Sequence, residues 1–445
     1  MKKVYLETFG CQMNVSDSER VASQLEKDGY EITSSEDSAD VVLFNTCSVR
    51  EKAEHKLYSR IGEVRSGKNS NNLRQPIIGV LGCVAQLEGE TLFKKSQKID
   101  FVLGTKALGR VSSAIENIRK GSNSFFDLAD REENYDWSVS KTQMFSPYIG
   151  FVPIIEGCNK FCTYCIVPFS RGREKSIAPA DILKQVLRLR RQGIKEIYLI
   201  GQNVNSYRPK TETGLENFPG ATPFSKLLRA VAATGLERIK FTTSFPRDFH
   251  ADIVDAINEN ENLCNWVHLP VQSGSNSILK AMRRGHTIES YVEKIVKIKS
   301  STRKISLTTD FIVGFPNETE QDFQATLDLI KHCEFDSSYI FKYSPRPGTP
   351  ASQMEDNVSL KEKTNRFLEL EKVQRFYQQK AQQSYINRIV EILVEKFSSK
   401  SKTELSGHTS CQKVVNFKGS ENLVGKIIKV KITKSKLNTL HGEKY

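Results

Sequence analysis

No stretch of this 445-residue chain approaches the roughly 18 consecutive apolar residues that a bilayer-spanning helix needs. The start, Met-Lys-Lys-Val-Tyr-Leu-Glu, reaches Glu7 after three apolar residues, too few for the apolar region of a secretory signal. Neither export nor membrane insertion is therefore expected, and a cytoplasmic address is. The apolar deficit that makes disorder the default is missing too, since 38% of residues are hydrophobic and 26% charged. A chain this long suggests about two to four domains and can bury cores without disulfides. Its nine cysteines then read better as metal ligands in a reducing compartment than as cross-links.

Acidic residues are outnumbered, 52 against 65 Lys and Arg, for a net charge of +13 and a pI near 9.1. The excess is uneven. From Gln382 to Tyr445, twelve Lys and Arg stand against five Asp and Glu, a net of +7 in 64 residues. The plain reading is a solvated surface. An anionic partner such as nucleic acid explains the concentration better.

The first 120 residues carry a repeating strand–loop–helix rhythm. Strands are expected at Lys3–Phe9, Val41–Phe44 and Ile77–Leu81. The first is followed by a helix from about Ser16 to Asp28, with Ser16 as N-cap and Glu19 three residues on. The second is followed by a helix from about Val49 to Val64, and the third by another helix start. Cys11, Cys47 and Cys83 close the three strands at intervals of 36 residues. In βαβ units the strands run parallel and their ends share one edge, so the three thiols should converge. Each precedes a helix, whose positive end favours an anionic group; the alternative is three small buried hydrophobes.

A polar stretch at 121–143, including Asp-Arg-Glu-Glu-Asn at 130–134, reads as a linker between domain 1–120 and a core at 144–380. That core alternates helices (Pro179–Gln192, Phe224–Ala233, Ala251–Glu259, Ile288–Ile298, Glu320–His332) with strands (Glu196–Ile200, Arg238–Thr242, Trp266–Leu269, Ile305–Ile312, Ser338–Tyr343), the pattern of a full or partial (β/α) barrel. Ser359 opens a long helix with Glu362 at the capping-box position. Residues 381–445 then alternate apolar and polar side chains between Gly407, Gly419 and Gly425, as a small five-stranded barrel of the oligonucleotide-binding kind would. The fold class is thus α/β, ending in a small all-β domain.

The sharpest local signal is Gly157-Cys158-Asn159-Lys160-Phe161-Cys162-Thr163-Tyr164-Cys165. Structural zinc takes four protein ligands, and no fourth stands nearby; His250 and His268 are distant. A [4Fe–4S] cluster can be held by three cysteines, leaving one iron open. That iron can chelate the amine and carboxylate of S-adenosylmethionine (SAM) and pass an electron into its sulfonium bond. Cys11, Cys47 and Cys83 offer the same arrangement again. Cys264, Cys333 and Cys411 lack ligand spacing and read as structural. The rival of another class is a non-catalytic, zinc-stabilised RNA-binding protein.

Thr-Phe-Gly-Cys-Gln-Met-Asn (8–14), Asn-Thr-Cys-Ser-Val-Arg (45–50), Gly-Cys-Val-Ala-Gln (82–86), the 157–165 motif, Arg-Gly-Arg-Glu (171–174), Gly-Gln-Asn-Val-Asn-Ser-Tyr (201–207) and Phe-Lys-Tyr-Ser-Pro-Arg-Pro-Gly-Thr-Pro-Ala (341–351) together resemble the radical-SAM methylthiotransferase family. The stretch from Gly407 to about Gly442 is similar to the TRAM domain, a small RNA-binding barrel. The resemblance implies two [4Fe–4S] clusters, one on Cys11, Cys47 and Cys83 and one on Cys158, Cys162 and Cys165. It implies two uses of SAM: one methylates a sulfur on the first cluster, the other is cleaved at the second to a radical that abstracts hydrogen from the acceptor carbon. Two open iron sites facing one cavity would keep that radical beside its acceptor and away from water.

Gln12-Met13-Asn14 and the 343–351 loop resemble the branch that modifies C2 of isopentenylated adenosine beside the anticodon of tRNA. The other branches act on threonylcarbamoyladenosine in tRNA and on an aspartate of a ribosomal protein. The resemblance further implies SAM contacts from Gly201, Gln202, Asn203, Gln272 and Gly314, with Asp310 standing where a glycine is frequent and Glu318 one residue late. Arg283, Arg284 and Arg346 are candidates for phosphate or SAM. Phe341 and Tyr343 are candidates for a prenyl pocket. A monomer working with tRNA and a reductase or flavodoxin-like electron donor is expected.

Overall fold

A computed structural model provides the fold and describes residues 2–48, 51–66, 75–130, 138–399, 401 and 403–445. The chain divides into two compact units. The first comprises Met1–Pro147 with Glu156–Asn159 and Cys165–Glu174; the second comprises Tyr148–Ile155, Lys160–Tyr164 and Lys175–Tyr445. Val49, the expected start of the second helix, and most of the polar run at 130–134 lie outside the described residues.

The first unit is built on β1 (Lys2–Phe9), α1 (Gln12–Lys27), β2 (Tyr30–Ile32), β3 (Val41–Thr46), α2 (Glu51–Ser66), β4 (Ile77–Gly82), α3 (Cys83–Glu88), β5 (Phe101–Leu103) and β6 (Phe125–Asp127). Its sheet runs β2-β1-β3-β4-β5-β6, with every pair parallel. Both faces are covered, so β3 is buried along its whole length and reads as a continuous apolar run rather than an alternation. Val42, Phe44 and Val80 pack on one side with Leu57 and Ile61 of α2. Val41, Leu43 and Leu81 pack on the other with Val21 and Leu25 of α1. After β1 the chain builds to one side, then returns to build β3 on the other. Such a reversal opens a crevice beyond the carboxyl ends of the two strands, the usual ligand position in sheets of this kind.

Two expectations fail here. The first helix begins at Gln12, not near Ser16, because Cys11 caps it and the Asn14 side chain takes the Cys11 N–H at 3.4 Å. Ser16 is buried inside the helix. Part of the expected linker is a strand: β6 pairs with β5, Phe125 packs against the core, and buried Asp127 is bound by Arg110 at 2.7 Å.

In the second unit, Ile149–Pro153, Glu196–Ile200 and Arg238–Phe241 form one parallel sheet, and Trp266–His268, Ser306–Val313 and Ser337–Lys342 another. A bridge between Ile239 and Leu263 joins them. A helix intervenes between each successive pair of strands: Pro179–Arg191, Pro223–Ala232, Ala251–Glu259, Ile288–Lys299 and Glu320–Cys333. This is a six-stranded part-barrel. The helix Leu360–Gln383 follows, with Ser359 accepting the Glu362 N–H at 3.2 Å as its sequence anticipates. Five strands then close a small barrel, Ile389–Phe397, Glu404–Thr409, Val414–Lys418, Ile427–Ser435 and Leu440–Lys444.

The small barrel is fastened to the part-barrel by buried charge. Glu196, fully buried, meets Arg238 at 2.8 Å, Lys240 at 3.1 Å and His408 at 2.8 Å. Lys240 also reaches Gln412 at 2.6 Å, and Lys413 pairs with Asp336 at 2.8 Å. Among the described residues no helix is long and apolar enough to cross a membrane.

Candidate active site

Cys11, Cys47 and Cys83 follow the carboxyl ends of β1, β3 and β4, three neighbouring parallel strands held level by the pairs Phe9–Thr46 and Thr46–Gly82. The convergence expected from the 36-residue spacing is present. A hydrogen bond with Cys47, followed by a weaker pull from Arg171, outweighs burial and brings the Cys11 thiol down to about 6. Burial pushes the Cys83 thiol up, against the pull of Arg171.

Close packing around the thiols accounts for the glycines beside them. A Cβ on Gly10 would stand 2.9 Å from the Cys47 Cβ and 2.5 Å from Asn14 Oδ1. Gly82 has φ +89°, and its Cβ would meet Asn45 Oδ1 at 2.2 Å. Underneath, Asn14 donates to Asn45 at 3.1 Å, while Asn45 donates to the Asn14 carbonyl and to Ser18 at 2.9 Å each. Both asparagines are fully buried. This network fixes the strand ends, and the sequence signalled it only as letters flanking the cysteines.

The 165–174 segment belongs to the same unit. The short helix Val167–Arg171 packs on α3, and Thr105 Oγ1 donates to the Ser170 carbonyl at 2.8 Å. Arg171, almost fully buried, reaches Asp17 on α1 at 2.6 Å. Gly157 has φ +74° and lies so close to the Arg173 carbonyl that a Cβ would stand 2.1 Å away. The Cys158 N–H donates to the Gly172 carbonyl at 3.1 Å, and Asn159 Oδ1 accepts the Glu174 N–H at 3.1 Å. The glycine and Asn159 therefore shape the loop that carries the second cysteine set.

Among the described residues no three or more His, Cys, Asp or Glu side chains are gathered for a single metal ion. A four-iron cluster spreads its thiolates wider, one to each of three irons. The first set suits such a cluster. It consists of thiols alone, one of them is pushed towards thiolate, and a buried guanidinium lies near to balance negative charge.

In the second unit Cys162 is buried, with Arg284 Nη1 at 3.6 Å. Arg284 is itself buried, donates to the Pro270 carbonyl at 2.6 Å and stacks over Phe245 at 4.4 Å. It is therefore committed inside the fold and turned towards a thiol rather than to outer phosphate. Arg283 is exposed, at φ +55°, and Arg346 is half-buried. Thr163 ties the loop to the Ala281 carbonyl at 2.9 Å and the Met282 carbonyl at 3.1 Å.

The strand ends of the part-barrel collect unusual backbone. Gly201 comes so near Ile155 that a Cβ would fall 2.7 Å from its carbonyl oxygen. Gln202 follows with a buried Oε1 that has no hydrogen-bond partner among the described residues, then Asn203, which is buried. Thr243 (φ +66°) and Gln272 (φ +81°) are left-handed although neither is glycine, strain of the kind that gathers at functional sites. Gly314 donates its N–H to Glu318 at 2.6 Å, and Arg366 pairs with that carboxylate at 2.9 Å. Burial raises Glu318 to about 7.

Sequence reasoning gave His268 and Asp310 no role, yet they face each other, Nε2 to Oδ1 at 3.4 Å, with His268 Nδ1 at 3.0 Å from Thr308 Oγ1. Tyr339 meets the His268 ring edge-on. Phe341 is exposed on the same strand as Tyr339, but Tyr343 is not available to a ligand in the same way. It packs among Phe315, Ile278, Met282 and Ala351, 6% exposed.

Three family models match the chain in order. They are the uncharacterized protein family UPF0004 over residues 3–104, the radical SAM superfamily over 152–330 and the TRAM domain over 383–445. The chain is 41% identical over 446 residues to a protein of Buchnera aphidicola subsp. Schizaphis graminum, covering 100% of both. It is 43% identical to one of Clostridium tetani, covering 99% of the chain and 95% of the relative, and 43% identical to one of Chromobacterium violaceum, covering 100% and 98%. All three carry the name tRNA-2-methylthio-N(6)-dimethylallyladenosine synthase. This chain belongs to that family. The radical-SAM methyltransferase TsrM of Kitasatospora setae, solved with tryptophan and a SAM analogue, shares the fold at a TM-score of 0.58, with 13% identity over 79% of this chain and 75% of that one. As a radical SAM protein the chain is an enzyme of SAM and iron–sulfur chemistry.

The remaining thiols agree with a structural reading. Cys264, Cys333 and Cys411 are buried, and burial takes the Cys333 thiol up to about 12. On the C-terminal barrel, Lys429, Lys431, Lys434 and Lys436 are all exposed, along or just after one strand, whereas Lys413 is spent inside on Asp336.

Proposed function

We propose that this chain adds a methylthio group to C2 of N6-isopentenyladenosine beside the anticodon of tRNA. In this reading Cys11, Cys47 and Cys83 hold one [4Fe–4S] cluster and Cys158, Cys162 and Cys165 a second. The observation that carries it is the gathering of the first three thiols at three adjacent strand ends, in a chain with a separate three-cysteine loop. The clusters supply, when bound, the electron for reductive SAM cleavage and the sulfur that is methylated and transferred.

The protein's own groups supply binding, orientation and exclusion of water. The Gly201–Asn203 turn and Gln272 offer strand-end polar groups to SAM, and the Arg284 guanidinium stabilises negative charge at Cys162. His268 Nε2 and Asp310 Oδ1, 3.4 Å apart, add a polar pair at neighbouring strands. The exposed ring of Phe341 is left for the prenyl chain, and the exposed lysines of the small barrel for RNA phosphates. An adenine C2 inside a stacked duplex is out of reach, so the target lies in a loop whose base can turn out.

Nucleoside analysis of tRNA from a strain lacking this gene tests the reading. Methylthio-isopentenyladenosine should disappear, isopentenyladenosine accumulate, and the wild-type gene restore the product. The reading is lost if that nucleoside persists while methylthio-threonylcarbamoyladenosine, or a methylthio-aspartate in a ribosomal protein, disappears.

A further inference from the structure

We propose that Arg171 and Asp17 are a buried charge pair that sets the reduction potential of the cluster held by Cys11, Cys47 and Cys83, Arg171 raising it and Asp17 lowering it. The inference rests on the assignment of those three cysteines as ligands.

The geometry begins with the two helices that spring from the thiols. Cys11 caps α1, and Asp17 lies six residues along it. Cys83 opens α3, and the helix Val167–Arg171 packs against α3. Arg171, its last residue, closes the circle by reaching Asp17 at 2.6 Å. Both side chains are nearly out of solvent, at 7% and 5% exposure. A surface ion pair in water would be screened; this one stands in low dielectric, where charges act on neighbours far more strongly.

Arg171 carries a guanidinium, cationic at any ordinary pH. Burial works against the guanidinium, but Asp17, then Cys83 and further off Cys11, hold it cationic well above its ordinary range. Asp17 acts on Cys83 with the opposite sign. The other acid near Arg171, Glu156, is served by Arg20 at 3.3 Å and Lys106 at 3.6 Å. Arg171 adds a weaker pull on Glu156 than those two.

Three thiolates make the cluster an anion, and reduction adds one more negative charge in a buried place. A fixed cation stabilises the reduced form more than the oxidised form; a fixed carboxylate does the reverse. Charge and hydrogen bonds around the sulfurs are among the levers by which proteins set such potentials. Arg171 and Asp17 are thus positioning residues that act through the cluster and touch no substrate.

The test is an EPR-monitored redox titration of the full chain reconstituted with iron and sulfide. Arg171→Gln should change the reduced-to-oxidised ratio of this cluster at fixed potential at least tenfold towards oxidised, about 59 mV for one electron. Asp17→Asn should move it tenfold towards reduced. Arg171→Lys keeps the charge and should stay near wild type, which separates electrostatics from a variant that merely folds badly. Unmoved potentials, or shifts of the same sign in Arg171→Gln and Asp17→Asn, overturn the proposal. If the Cys11, Cys47 and Cys83 triple Ala variant keeps its full iron, the ligand assignment itself fails, an outcome distinct from a cluster present with an unmoved potential.

Discussion

Replacing Glu196 by Gln should loosen the C-terminal barrel from the part-barrel. The carboxylate is fully buried between Arg238 at 2.8 Å and Lys240 at 3.1 Å, with His408 of the small barrel at 2.8 Å. Although burial opposes its charge, Lys240 and Arg238 hold the Glu196 carboxyl far below the ordinary carboxylate range. A neutral amide would leave two buried cations without compensation, and breaking a buried pair from one side costs about 3–5 kcal/mol. For a unit of this size that is a fall in the unfolding midpoint on the order of 10 °C. The sign in pH follows from the depressed value. The contribution is complete above the unfolded carboxyl's value of about 4.3 and is lost only as pH drops from there towards the folded value. The assay is thermal unfolding of wild type and Glu196→Gln at neutral pH, with limited proteolysis at 381–389 as a reporter of barrel release. Substituting Glu196, Arg238 and Lys240 together by Leu and Met should recover most of the loss, because the desolvated charges disappear with their partners. A single variant within 1 °C of wild type, or a triple variant worse than the single, would refute the latch.

The two cysteine sets should separate cleanly. The Cys158, Cys162, Cys165 triple Ala variant should lose 5′-deoxyadenosine formation and keep about half of roughly eight irons per chain. The Cys11, Cys47, Cys83 variant should keep the other half and SAM cleavage yet form no methylthio product; persistent product from either contradicts the assignment. Changing Lys429, Lys431, Lys434 and Lys436 to Gln should flatten the slope of log affinity for tRNA against log salt by about 3 to 4 if each contacts a phosphate, taking about 0.7–0.9 per contact. An unchanged slope puts the RNA elsewhere. Gly10→Ala should lower iron content of the first set selectively, because its Cβ would stand 2.9 Å from that of Cys47; normal iron in a folded variant would remove the packing argument.

What could be read in advance was what repeats or closes locally. The 36-residue beat of Cys11, Cys47 and Cys83 exposed the parallel strands, because a βαβ unit returns each strand to the same edge whatever its loop contains. The part-barrel helices were legible for the same reason, within one or two residues of their ends. Ser16 and Glu19 misled because a capping box is a four-residue pattern that chance also produces. Cys11 and Asn14 already serve the helix start, which left Glu19 buried, accepting the Phe145 N–H at 2.7 Å and raised by burial to about 7. The strand Phe125–Asp127 is three residues long in a polar setting, and only its partner strand and the Arg110 ion pair make it a strand.

The buried charge pairs were illegible because they have no local signature at all. Asp17 and Arg171 are 154 positions apart, and Glu196 and His408 are 212. A charged residue in a chain reads as surface, since a lone buried charge is too costly to keep. It becomes tolerable only when the fold delivers its partner, so its burial is a consequence of tertiary structure and is absent from any window of sequence. The thiols show the complement of this rule. In the proposed assignment, three cluster-bound cysteines held away from water call for a cation that is also away from water. Arg171, six residues beyond Cys165 in sequence but set against Asp17 on the helix that Cys11 caps, is the residue the fold brings there.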